Sequence, residues 1–243
     1  MKIALPFLAL AAISTAHAQH AAHGDTAMPP MAETALFAGA GLERLENRLG
    51  SRQPDLRWQG QAWFGTSVDR IWLKTEGVRE HNGRIEDGRH ELLYSRAISA
   101  WADLQAGLRA DLDSRTGRQW AALGAHGTAP MFVGYEVAAY FSDAGHAAAR
   151  VALSYELPLS EHLILQTDVE TNIYSKGDPG RRIGPGIADI EAGLRLRYEF
   201  SRKFAPYIGV SYAEKLGETA RLARRDGEKP GAARVLFGLS ARF

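Results

Sequence analysis

Between Ala233 and Phe243 apolar and polar positions alternate. Ala233, Val235, Phe237, Leu239 and Ala241 fall on one face, and Arg234, Gly238, Ser240 and Arg242 on the other. The same period of two recurs upstream. Leu104, Ala106, Leu108 and Ala110 alternate with Asp103, Gln105, Arg109 and Asp111. Val151, Leu153, Tyr155 and Leu157 alternate with Arg150, Ser154 and Glu156. Leu163, Leu165, Val169 and Ile173 oppose Gln166, Asp168, Glu170 and Asn172. Ile190, Ala192, Leu194, Leu196 and Tyr198 oppose Asp189, Glu191, Arg195, Arg197 and Glu199. A helix would smear these sets around its axis, so the pattern predicts strands with one apolar and one polar face.

The connections separate a membrane barrel from a soluble sandwich. Working back from Phe243, long gaps (214–231, 175–187, 77–89) alternate with short ones (201–203, 159–161, 128–130, near 99–101), with intermediate gaps at 143–146 and 112–117 on the long side. Outer-membrane barrels have short periplasmic turns and longer extracellular loops. Clear strands are expected at about 57–65, 69–76, 90–98, 101–111, 118–127, 131–142, 147–158, 162–174, 188–200, 204–213 and 232–243, which is an odd number where bacterial single-chain barrels have even ones. A further strand is therefore expected in Leu36–Asn47, although Leu42-Glu43-Arg44-Leu45-Glu46 could equally be helical. The fold class is all-β, an antiparallel transmembrane barrel of about 12 strands, with 10 as the fallback.

The N-terminus adds an address. Lys2, the apolar run Ile3–Ile13 and Ala16-His17-Ala18 read as a secretory signal peptide over 1–18. Residues 19–35 show no period and little to bury and read as a flexible tail; 36–243 form the barrel. The tail and the C-terminus are expected on the periplasmic side of the outer membrane. Cysteine is absent, which removes disulfides, thiolate metal sites and cysteine catalysis, and a net charge of +1 gives no reason to expect nucleic acid.

If the apolar faces meet lipid, the lumen is lined by Arg70, Lys74, Glu76, Asp103, Arg109, Asp111, Glu136, Arg150, Glu156, Asp168, Glu170, Asp189, Glu191, Arg195, Arg197 and Glu199. Two readings follow: a salt-bridged filling, or a polar conduit whose carboxylates guide cations. Trp58, Trp63, Trp72, Trp101, Trp120, Tyr198 and Tyr212 lie mostly near strand ends and read as interface anchors. A lipid hydrolase needs a lipid-facing Ser–His pair. His126 has no serine beside it, His162 lies at a tight turn, and His81, His90 and His146 lie in or beside loops; no enzyme is expected.

The tail carries the sharper chemistry. His20, His23, Met28 and Met31 lie within a dozen residues, and thioether sulfur suits Cu(I) while imidazole suits copper or zinc. On composition alone, a ligand set and a low-complexity tail both remain open.

From residue 56 onward the chain resembles the copper resistance protein B family of Gram-negative outer membranes. The resemblance is carried by Gln61-Ala62-Trp63-Phe64-Gly65, Arg70-Ile71-Trp72-Leu73-Lys74-Thr75-Glu76-Gly77, Leu93-Tyr94-Ser95-Arg96-Ala97-Ile98, Asp103-Leu104-Gln105-Ala106-Gly107, the run Asp189 to Glu199, and Phe204-Ala205-Pro206-Tyr207-Ile208-Gly209-Val210. It implies an outer-membrane barrel that binds copper as cargo and contributes to copper tolerance, in contact with lipid and with a periplasmic copper-handling protein as candidate partner. Many relatives carry a longer tail with repeated Met, His and Asp, where this chain has His20, His23, Met28 and Met31. Those four are the expected ligands, with Glu76, Asp103, Asp168, Glu170, Asp189 and Glu191 as secondary candidates in the lumen. A general small-solute or cation porin is the alternative function.

Overall fold

The computed structural model describes residues 35–50, 54–115, 117–201 and 203–243. The expected signal peptide and all four tail ligands lie outside them. Twelve antiparallel strands follow one another around a closed barrel: β1 (Phe37–Gly50), β2 (Asp55–Gly65), β3 (Asp69–Arg79), β4 (Ile85–Ala97), β5 (Ala102–Asp111), β6 (Arg118–Ala129), β7 (Val133–Ser142), β8 (Ala147–Pro158), β9 (Leu163–Tyr174), β10 (Gly186–Tyr198), β11 (Phe204–Lys215) and β12 (Gly231–Arg242). Pairing of β1 with both β2 and β12 leaves no open edge. The weakly patterned N-terminal segment is thus the closing strand. Its pattern is blurred because the register shifts between Leu42 and Leu45, a bulge that breaks the alternation and mimics a helical turn.

Burial is inverted relative to a soluble protein. Leu108, Leu123 and Ile208 are 66%, 58% and 55% exposed, whereas Glu46 and Arg195 are 0% and 1% exposed. An apolar exterior around a charged interior is stable only in lipid, so the strands span a membrane. Among the described residues no helix is long and apolar enough to cross one.

Three details differ from expectation. The gap at 77–89 shrinks to 80–84, because β3 and β4 run further and absorb a register shift between Glu76 and Val78, with Asp87 at φ 52°. The 214–231 gap holds a short helix, α1 (Gly217–Arg225), too polar and too brief to show a period. It buries only Thr219, Ala220 and Ala223, and Thr219 Oγ1 accepts from the Gly184 amide at 2.9 Å, tying α1 to the 175–185 loop. Finally, Trp72 and Trp120 are not girdle anchors: both are buried inside the barrel. Trp63 packs against that inner cluster too, its ring centroid 6.1 Å from that of Trp72. Each shares strand parity with lumen charges (Trp72 with Arg70 and Lys74, Trp63 with Arg57, Trp120 with Arg118), and that parity decides the side. Trp101, Tyr198 and Tyr212 are exposed, as anchors should be.

Candidate functional site in the barrel lumen

Strand parity delivers the charges inward, and closure of the sheet brings opposite walls within side-chain reach. The centre of the network is Arg150 on β8. Its Nε and Nη2 donate to the two oxygens of Glu170 on neighbouring β9, both at 2.9 Å. Its Nη1 reaches Glu136 on β7 at 2.7 Å, and Nη2 reaches Glu76 on β3, across the barrel, at 3.3 Å. Arg57 on β2 crosses to Glu191 on β10 at 2.8 Å and approaches Glu170 at 3.8 Å. Arg89 on β4 pairs with Glu76 at 3.0 Å and donates to Asn172 on β9 at 3.5 Å. Lys74 pairs with Glu136 at 2.7 Å. Four cationic side chains thus interlock with carboxylates from both walls, and each charge removed from water gains partners of opposite sign.

A second cluster packs the wall between β1 and β10. Arg195 Nε and Nη2 hold both oxygens of Glu46 at 3.0 and 3.1 Å, and Nη1 pairs with Asp168. Tyr207 donates to Glu46 at 3.0 Å, and Arg44 pairs with Asp168 at 3.3 Å. Gly193 leaves room for this pair, since a Cβ there would crowd the Arg195 guanidinium and sit 2.9 Å from the Asp168 carboxylate, so the two side chains would have to shift. At the long-loop mouth, Trp120, Arg109 and Arg118 converge on Asp111 at 2.8–3.0 Å. Arg118 also reaches Asp178 of the 175–185 loop at 2.9 Å, and Arg181 of that loop pairs with Asp113. This loop therefore lies strapped across the mouth.

Toward the short-turn end the lumen opens into a cavity of about 320 Å³, lined by Glu43, Gln61, Trp72, His126, Ser154, Glu156, Gln166 and Arg242 among others, with Arg150, Glu76 and Glu170 at its inner limit.

All six secondary metal candidates face the lumen, but they are already engaged. Glu76 meets Arg89 and Arg150; Glu170 meets Arg150 and Arg57; Glu191 meets Arg57 and, at 3.9 Å, Arg48. Asp168 meets Arg195 and Arg44, Asp103 meets Arg70 at 3.4 Å, and Asp189 accepts from Asn172 at 2.9 Å. Among the described residues no group of three or more His, Asp or Glu is arranged to hold a metal ion. His126 also points inward, edge-on to Trp72 and 3.5 Å from Asp103, so it is not placed on the lipid side where a hydrolase would need it. His90, expected in or beside a loop, lies within β4.

Glu43, Arg44, Glu46 and Arg48 also line the lumen, beyond the residues the alternation predicts, because the β1 bulge scrambles their parity. Arg57, Arg89 and Glu91 and the rings of Tyr140 and Tyr207 face inward as well.

The comparisons with known proteins agree over the same span. A family model described as copper resistance protein B precursor matches residues 36–243. The chain belongs to the copper resistance protein B family. Copper resistance protein B of Escherichia coli is 42% identical over 202 residues, covering 83% of this chain and 67% of that protein. A copper resistance protein B homolog of Pseudomonas syringae pv. tomato is 39% identical over 233 residues, covering 96% and 76%. Among solved structures, the NanC porin aligns with a TM-score of 0.55 at 10% identity, covering 83% of this chain and 98% of the porin. The KdgM porin in complex with disordered oligogalacturonate aligns at 0.51 and 10% identity, covering 84% and 99%. At such identity these likenesses speak to the barrel alone.

Proposed function

We propose that this protein contributes to copper tolerance by capturing copper at the outer membrane through its N-terminal segment, with the barrel serving as a rigid anchor. Family membership supports the copper role. The observation that carries the division of labour is the state of the lumen carboxylates: each of the six candidates already satisfies a guanidinium or amide partner. To take a metal ion, the five paired with arginine would have to leave a cation of the protein unpaired in a confined interior, and Asp189 would have to give up the Asn172 amide. Soft and borderline donors are instead concentrated at His20, His23, Met28 and Met31. The same ion pairs weigh against the general porin reading, because they run from wall to wall where a porin needs a clear path.

In this reading the short turns and the C-terminus face the periplasm, and a periplasmic copper-handling protein exchanges the ion with the tail. Titration of the refolded protein with Cu(I) and Cu(II) tests it. His20→Ala with His23→Ala should mainly weaken Cu(II), and Met28→Ala with Met31→Ala mainly Cu(I). The quadruple variant should lose both, together with copper tolerance, while still assembling in the membrane. Unchanged binding in the quadruple variant would refute capture by the tail. Lost tolerance with full binding would move the function to the barrel or to a partner docked on it.

A further inference from the structure

We propose that the lumen is a blind vestibule that admits small cations from the short-turn end and is closed toward the long-loop end by two barriers in series, the ion-pair cage around Arg150 and the strap formed by residues 175–185. This does not depend on capture of copper by the tail.

The geometry supplies each part. The cavity reaches from Ser154, Gln166 and Arg242 near the short turns as far as Arg150, Glu76 and Glu170. There Arg150 joins β8 to β3, and Arg57 joins β2 to β9, so the contacts cross the lumen from near-opposite walls. Arg150 is 6% exposed and Arg57 11%, which leaves little of either guanidinium open to solvent. Beyond them, Arg118–Asp178 and Arg181–Asp113 hold the strap to the β5–β6 side, and α1 backs it through Thr219. A path would need both barriers to yield.

Admission of cations rests on Glu43. The β1 bulge turns it into the cavity beside Arg44, where it accepts from the neutral amide of Gln61 at 2.5 Å. Deeper in the cavity Glu91 likewise accepts from a neutral group, the Tyr140 hydroxyl, at 2.8 Å. The lining as a whole carries seven carboxylates against six Lys and Arg side chains, an excess of one negative charge, and a narrow polar recess with low-dielectric walls concentrates ions of the opposite sign.

The chain has no cysteine, so single cysteines can be read cleanly. Ser154→Cys, nearly isosteric, places a thiol in the vestibule, and Gln166→Cys repeats the test should the first variant fold poorly. Ser160→Cys and Gly227→Cys mark the short-turn and long-loop sides. In vesicles of uniform barrel orientation, a membrane-impermeant thiol reagent should reach the vestibule thiol only from the side on which it reaches position 160. A cationic reagent should react about three- to tenfold faster than its anionic analogue, and Glu43→Gln should shrink that ratio. The intact protein in a planar bilayer should carry no steady current.

Labelling of the vestibule thiol from the side of position 227, or a steady porin-like current, would overturn the closure. An anionic reagent reacting as fast as the cationic one, or a ratio indifferent to Glu43→Gln, would overturn cation admission.

Discussion

Replacing Arg195 tests whether the interior charges hold the barrel together. Arg195 is 1% exposed and touches Glu46 twice and Asp168 once. In Arg195→Ala, Asp168 keeps Arg44 at 3.3 Å, but Glu46, itself 0% exposed, keeps as a direct partner among the described residues only the Tyr207 hydroxyl at 3.0 Å. The loss is then dominated by one carboxylate left buried without a counter-ion. Breaking such a pair from one side costs about 3–5 kcal/mol. Adding Glu46→Gln removes the stranded charge and leaves mainly unmade neutral hydrogen bonds, so the double variant should fall short of the parent by only about 1–2 kcal/mol. Urea titration of the barrel refolded into phospholipid vesicles, followed by tryptophan emission, measures both differences. A single variant within about 0.5 kcal/mol of the parent would refute the reasoning. So would a double variant no more stable than the single one.

Leu194, next in sequence but on the lipid side at 41% exposure, gives the complementary test: Leu194→Arg should cost about 2–4 kcal/mol in the same titration. Protease sites inserted into 175–185 and 216–230 should be cut on intact cells, whereas sites in 159–162 and 199–203 should be cut only after permeabilisation; the reverse result inverts the orientation. Met131, at φ 67° in the turn between β6 and β7, occupies a left-handed conformation that costs an L-residue about 1–2 kcal/mol, so Met131→Gly should raise the urea midpoint in detergent.

The barrel was readable because its two faces demand opposite chemistry. Where a strand pairs on both sides without a bulge, as in β5 and β8, alternation marks both the element and the side each residue takes. Parity also held the answer for Trp63 and Trp72, which share a face with Gln61, Arg70 and Lys74; the preference of tryptophan for interfaces pointed the other way, and the register prevailed. The β1 bulge hides Glu43, Arg44, Glu46 and Arg48 from the alternation, because one inserted residue reverses every side chain after it. Partnerships such as Arg150 with Glu76 and Arg57 with Glu170 were out of reach for another reason. They depend on which strands face each other across the closed barrel, and no local pattern records that. Helix α1 stayed hidden because a nine-residue polar segment that buries three small side chains carries almost no periodic signal.

The most direct measurement is the copper content and affinity of the refolded protein with residues 19–35 present and with them deleted, determined separately for Cu(I) and Cu(II). The account predicts that the protein carrying 19–35 binds copper in both states and that the deleted form, with its barrel intact, binds neither. Copper retained at full affinity by the deleted form would contradict it and return the site to the lumen.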